Sequence, residues 1–230
     1  MARIAYDYIM EEDESVMERA EGILASLAQF TTMEDKHPFV ECATFADAIK
    51  ATGWDDQSHW HFVDNTFLDD GFYKDVANET YNNTWALDEM ITNLKYAKPE
   101  STYTSGDDEL TSSSGYVSYA LADSFNLRLL VHYTGDVHQP LHATTRYTAE
   151  YPNGDRGGNS YPLQSKDGID ELHALWDSVL YEYSDDISQP LSDDDWDFLG
   201  TTAQTLTGKY PLSSFPEIDA SYLDWNTESY

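Results

Sequence analysis

His132 and Asp136 stand four residues apart in this chain, and so do His173 and Asp177. On a helix that spacing stacks two side chains on one face, so each pair can grip one metal ion. His142, just after Pro140, adds a third imidazole within reach of the end of the first pair's helix. Imidazole and carboxylate together suit zinc, which takes nitrogen and oxygen ligands at about 2.0–2.2 Å. A lone His-x-x-x-Asp is more often a surface or capping pair. Two of them on apolar helical stretches are harder to dismiss, because buried charged groups need partners. Cys42 is the sole cysteine, which excludes an internal disulfide and any cysteine-rich zinc module.

The elements that must carry these residues read as mostly helical. Residues 5–30 have the spacing of one amphipathic helix, with Val16, Ala20, Ile23, Leu24 and Leu27 inward. Residues 42–51 form a short helical segment. Residues 59–63 alternate and are expected to run extended. Residues 85–98 return to helical spacing, and residues 100–115, rich in Ser, Thr, Gly and Asp, read as a loop. Residues 116–138 predict a long buried helix bearing Leu121, Phe125, Leu129, Leu130 and Tyr133, limited by Pro140. Residues 143–168 predict an irregular excursion with room for a hairpin. Ile169, Leu172, Trp176, Val179 and Leu180 then mark another core helix, and Ser192 with three following aspartates marks a helix start. With no repeat and no linker, the expectation is a single mainly α domain over residues 1–230.

The chain has 230 residues and carries 12 Lys and Arg against 43 Asp and Glu, a formal charge of −31. No apolar run approaches the roughly 20 residues needed to span a bilayer. With 40% hydrophobic and 14% aromatic residues, a disordered composition is excluded. The acidity opposes passive coating of phosphate polymers. It does not oppose a phosphate-processing enzyme whose site holds dications, and it equally suits a solvated surface or an acidic lumen. The start of the chain lacks the basic and apolar regions of a signal peptide, while two sequons, Asn78-Glu79-Thr80 and Asn82-Asn83-Thr84, point to a secretory route.

The stretch from His132 through Gly135-Asp136 and Gln139-Pro140-Leu141 to His142, then Gly157-Gly158-Asn159, then Leu172-His173-Ala174-Leu175-Trp176-Asp177, resembles the zinc-dependent class I nucleases. These comprise fungal single-strand-specific nucleases, plant bifunctional nucleases and protozoan 3′-nucleotidase/nucleases, distantly related to zinc phospholipase C. Phe45-Ala46-Asp47 and Trp60-His61-Phe62-Val63-Asp64 match upstream motifs in order, and Asp224-Trp225-Asn226 a later one.

The resemblance implies a multi-helix zinc phospholipase C/nuclease-like fold with zinc at the bottom of a cleft. By motif match, Asp47, His61, His132 and Asp136 would hold one zinc, and His142, His173 and Asp177 a second. A third would share Asp136 with an N-terminal Trp and a nearby His, which this chain lacks; residues 1–5 match a point inside the family's first helix. Three zincs are thus expected of the family and two from the ligands present. Asp47 would also orient the attacking water. Lys50 stands where the family has Arg, keeping the charge but losing the bidentate fork. Asn159 would contact the scissile phosphate, Phe62 would stack on a base and Asp64 would accept from its edge; stacking demands an unpaired base. His138 is expected to be a supporting group. The implied function is cleavage of single-stranded DNA and RNA to 5′-nucleotides, with 3′-nucleotidase activity, by a secreted or lumenal monomer. The alternatives are a phospholipase C-like enzyme, against which Asp177 in place of Glu argues, and an inactive zinc-binding homologue.

Overall fold

A computed structural model describes residues 1–69, 71–76, 79–97, 110–112, 115–117, 119–182, 187–215 and 221–230. The chain is mainly helical, with three small two-stranded sheets among the described residues. It divides into two compact units. Unit 1 comprises Met1–Asp55, Asp88–His132 and Ile187–Asp219; unit 2 comprises Asp56–Leu87, Tyr133–Asp186 and Ala220–Tyr230.

Unit 1 is built on helices. The expected first helix is two, α1 (Ala2–Glu12) and α2 (Glu14–Leu24), followed by a 3-10 segment, Ala25–Phe30. Asp13 breaks it: its backbone is extended, and its carboxylate accepts from the Ser15 amide, capping α2. Ile23 and Leu24 are buried as expected, and Ala20 packs on the core. Val16 is exposed, and Met17 takes the inward position. The core gathers Met17, Leu24, Phe39, Val40, Cys42 and Leu191, with Leu127, Val131, Trp196 and Leu199 packed against it.

A 3-10 turn at Cys42–Thr44 and α4 (Phe45–Lys50) fill the helical segment expected at 42–51, and a further helical turn, α3 (Pro38–Glu41), precedes them with Pro38 at its start. Glu41 is buried and accepts from the amides of Asp35, His37 and Leu191, tying both flanking segments to α3. α5 (Asn83–Leu94) ends before the expected residue 98, which lies outside the described residues together with Pro99. Part of the expected loop after it is an antiparallel pair, β2 (Leu110–Ser112) with β3 (Gly115–Val117).

That pair delays the start of the long helix, so α6 is Tyr119–Asp136 rather than 116–138. Arg128 on α6 is fully buried and grips the Glu34 carboxylate at 2.8 and 2.6 Å, while donating to the carbonyls of Ser124 and Leu24. α8 (Asp193–Lys209) starts at Ser192, whose hydroxyl accepts from the Asp195 amide, as expected.

Unit 2 is built on short elements. The segment expected to be extended at 59–63 is a 3-10 turn, Ser58–His61, and only then does the backbone extend at Phe62. The turn aims His61 inward and leaves His59 exposed. β1 (Asn65–Leu68) pairs in parallel with β4 (Thr144–Tyr147), with Asn65 opposite Thr144. The excursion at 143–168 does contain a hairpin strand: β5 (Pro162–Lys166) turns at Asp167-Gly168 into β6 (Ile169–Glu171). α7 (Leu172–Asp177) is shorter than the core helix the sequence suggests, and Trp176, Val179 and Leu180 are exposed. The backbone of Val179, Leu180 and Tyr181 lies in the left-handed region, which ends the right-handed helix and turns those side chains away. α9 (Tyr222–Ser229) opens with a reciprocal cap between Ser221 and Asp224. No described helix is long and apolar enough to cross a membrane.

Candidate metal centre

In unit 1, Asp47 lies in the first turn of α4 and Lys50 one turn later, with its ammonium 2.7 Å from Asp47 Oδ1. His132, buried on α6, has Nδ1 2.6 Å from the Ala43 carbonyl oxygen. A carbonyl only accepts, so Nδ1 carries the hydrogen and Nε2 carries the lone pair. That lone pair faces Asp47 Oδ2 at 3.7 Å. Ala43 belongs to the turn directly before α4, so the segment carrying Asp47 also sets the ring of His132. An edge-to-face contact of Phe45 with Phe125, centroids 5.7 Å apart, packs α4 on α6.

In unit 2 the parallel pairing of β1 and β4 brings the turn before each strand side by side. His142 Nδ1 donates to the His61 carbonyl at 2.8 Å, and the Val63 amide donates to the His142 carbonyl at 2.7 Å. His173, at the start of α7, donates Nδ1–H to the Gly157 carbonyl at 2.7 Å. Gly157 has φ +60, and a Cβ there would strike the Leu141 carbonyl oxygen, so only glycine allows this approach. The remaining nitrogens, His142 Nε2 and His173 Nε2, face one another at 3.1 Å. Asp177 Oδ2 lies 3.5 Å from His173 Nε2, and Asp136 Oδ1 3.5 Å from His142 Nδ1. Burial pushes the His142 imidazole below the ordinary histidine range, which favours the neutral, ligating form.

These residues fit a zinc ion. With both Nδ1 hydrogens committed to carbonyls, the two Nε2 atoms at 3.1 Å can share only a cation, a proton or a metal ion, between them. Ligand atoms about 2.05 Å from a tetrahedral ion lie about 3.3 Å apart. The 3.1 and 3.5 Å separations around His173 straddle that edge. His61 adds to the same unit: its Nδ1 stands 2.8 Å from Asp136 Oδ2, a spacing at which an imidazole nitrogen and a carboxylate share a cation, proton or metal. α6 thus bears His132 and Asp136 on one face, as their spacing predicts.

The other expected site residues lie as follows. Asn159 donates its amide to the Arg156 carbonyl at 2.8 Å, inside the turn that holds His173. Asp64 accepts the Thr145 hydroxyl at 2.5 Å. Phe62 is half-buried, with its ring edge-on to His59. His138 packs against Trp225 at 5.0 Å between centroids, and Asn226 accepts from Asn65, so the late motif braces β1 and the end of α6. Asn82 uses its side chain to cap α5, accepting from Thr84 and Trp85; Asn78 lies outside the described residues.

Gln57 was not singled out by the sequence. It is buried, and its Oε1 accepts both the Tyr133 hydroxyl at 2.8 Å and His61 Nε2–H at 2.9 Å. With Nε2 committed as a donor, His61 Nδ1 is the nitrogen left to ligate. A glutamine four residues before a histidine has no signature, and its second partner lies 76 residues away.

Over residues 1–230 the chain matches the family described as S1/P1 Nuclease. It is also similar to Endonuclease 3 of Arabidopsis thaliana, 37% identical over 70 residues, which make up 30% of this chain and 21% of that protein. The match therefore spans about a fifth of that relative.

Proposed function

The chain belongs to the S1/P1 nuclease family, and we propose that it is a zinc-dependent phosphodiesterase that cuts single-stranded DNA and RNA to 5′-nucleotides, with 3′-nucleotidase activity on 3′-phosphorylated nucleotides. The observation that carries this reading is the His142–His173 pair, with two Nε2 atoms held face to face at 3.1 Å by backbone carbonyls and Asp177 beside them. Asp47, His61, His132, Asp136, His142, His173 and Asp177 are the ligands in this proposal. Zinc held by them would lower the pKa of a bound water to about 7 and neutralise the phosphodiester.

The chain's own residues supply the rest. Asp47 orients the attacking water, and Lys50 neutralises a phosphate oxygen as a point charge without a bidentate fork. Asn159 donates to the scissile phosphate from the turn that also fixes His173. Phe62 stacks on an unpaired base, which gives the single-strand preference, and Asp64 accepts from the base edge with the oxygen not taken by Thr145. The two sequons and the family's generally secreted members support a place outside the cell or in a lumen.

The test is a digest of single- and double-stranded DNA by the purified protein, stripped of metal and then reloaded with zinc, with zinc counted per chain. Reloading restores cutting of the single strand first. His173→Ala lowers the rate by at least about 10³-fold. Cutting that persists in the stripped protein, or an unaltered rate in His173→Ala, overturns the proposal. Release of phosphocholine from lipid micelles without cutting DNA transfers the site to lipid phosphodiesters.

A further inference from the structure

Beside the β1–β4 pair, unit 2 contains a cavity of about 490 Å³ that no residue of the proposed catalytic set lines. Its walls are Phe72, Tyr151 and Tyr161, and its charged groups are Asp69, Arg146 and Glu150. We propose that this cleft is a second base-binding subsite, taking an unpaired nucleobase of the single-stranded substrate that lies beyond the two nucleotides flanking the scissile phosphate. The proposal rests on the nucleolytic reading above and extends it to a surface that the family motifs do not cover.

Three observations support it. The first is chemical. Aromatic faces bind unpaired bases by stacking and tolerate every base. The Arg146 guanidinium is held by Asp69 at 3.2 and 2.7 Å, so its charge is already balanced. Glu150 adds a further carboxylate. A phosphate would meet net negative charge here, whereas a base edge offers N–H groups for the carboxylates and acceptors for the guanidinium.

The second is rigidity. Arg146 and Asp155 are tied twice, Arg146 N–H to the Asp155 carboxylate at 3.0 Å and Asp155 N–H to the Arg146 carbonyl at 2.9 Å, and Asp155 is buried. The Thr148 hydroxyl accepts the amides of Glu150 and Tyr151. Tyr151 therefore stands on a loop pinned to β4 before any ligand arrives, which cuts the ordering cost of binding.

The third is continuity with the metal ligands. Arg146 is four residues beyond His142, within about 14 Å even for fully extended chain. Tyr161 is two residues beyond Asn159; its amide donates to Gly158, and its carbonyl accepts from Leu172, the neighbour of His173. One wall of the cleft is thus the far end of the turn that sets His173.

The experiment compares the zinc-loaded parent with Tyr151→Ala/Tyr161→Ala and with Tyr151→Phe/Tyr161→Phe. Two substrates are used: a dinucleotide, too short to reach the cleft, and a longer single-stranded oligonucleotide. Affinity for a fluorescent phosphorothioate form of the longer strand is measured separately. The alanine variant is expected to raise KM and Kd for the long strand about ten-fold or more, and to move kcat/KM for the dinucleotide less than about two-fold. The phenylalanine variant restores the parent values. Equal losses on both substrates, or an unaltered Kd for the long strand, overturn the subsite. If the parent cuts neither substrate, the nucleolytic reading fails on its own account, and the Kd comparison still decides the cleft.

Discussion

The two units support the residues proposed as metal ligands by different physics. In unit 1, Asp47 and His132 ride on helices whose placement comes from an apolar core and from the buried Arg128–Glu34 pair. In unit 2, His61 and His142 sit on one-turn helices beside a four-residue strand pair, and His173 on a helix of six residues. Elements that short bury little apolar surface, and rings there are fixed by hydrogen bonds at the nitrogen that does not ligate: His142 to the His61 carbonyl, His173 to Gly157 and His61 to Gln57. His132 too is held by a carbonyl, that of Ala43, so what sets unit 1 apart is the bulk packing added beneath its ring, while unit 2 relies on individual polar contacts. Damage to each should be read by a different instrument.

Arg128→Leu tests unit 1 and carries the largest effect. It leaves Glu34, only 4% exposed, as a buried carboxylate without its cation, at a cost of about 3–5 kcal/mol. Chemical denaturation should show the loss as a lowered midpoint, while zinc content per folded chain holds.

Gln57→Leu gives the converse in unit 2. Losing the acceptor of His61 Nε2–H should weaken zinc binding by about 10–100-fold, read by competition with a chromogenic chelator, with a much smaller shift in the denaturation midpoint. Gln57→Glu retains an acceptor and should recover most of the affinity. An Arg128→Leu chain that loses zinc while folded, or a Gln57→Leu chain that unfolds with its zinc affinity intact, would erase the contrast.

The smallest effect sharpens unit 1. Trp196 is flanked by the Arg3 guanidinium at 3.6 Å and by the His37 ring, stacked at 3.5 Å between centroids. Burial first, and then the Arg3 charge, push the His37 imidazole below its ordinary value, with Glu41 opposing. The unfolded chain therefore takes up a proton on this residue at a higher pH than the folded chain does. Its contribution to stability is present above the ordinary histidine pKa of about 6.5 and is lost as pH falls from there through the lowered folded value. Between pH 7 and 5 the parent should lose more Tm than His37→Gln does, and identical slopes would remove His37 from the balance.

Much of the site was legible because its signals are local. The four-residue spacing of His132 with Asp136 and of His173 with Asp177 needs only that each lie on a helix, and each does. The Ser192 cap was equally plain. The misreadings have local causes: Asp13 split the first helix, and on α2 it is Met17, one turn before Ala20 and two before Leu24, that faces the core rather than Val16. Left-handed backbone at Val179–Tyr181 cut α7 short, although the apolar spacing ran on. Residues 59–63 alternate in polarity, but a one-turn helix forms there and carries His61 inward to its Gln57 acceptor.

The sequence by itself determined the chemistry: which residue types are present, the absence of thiol ligands, and the intrahelical spacing that pairs imidazole with carboxylate. Only the tertiary structure decided which nitrogen of each ring is offered and to what. That depends on acceptors such as Ala43, His61, Gly157 and Gln57, and on a parallel β1–β4 register joining residues 79 apart. Backbone carbonyls are the same at every position, so no residue identity encodes which of them a ring will meet. That choice is made by packing.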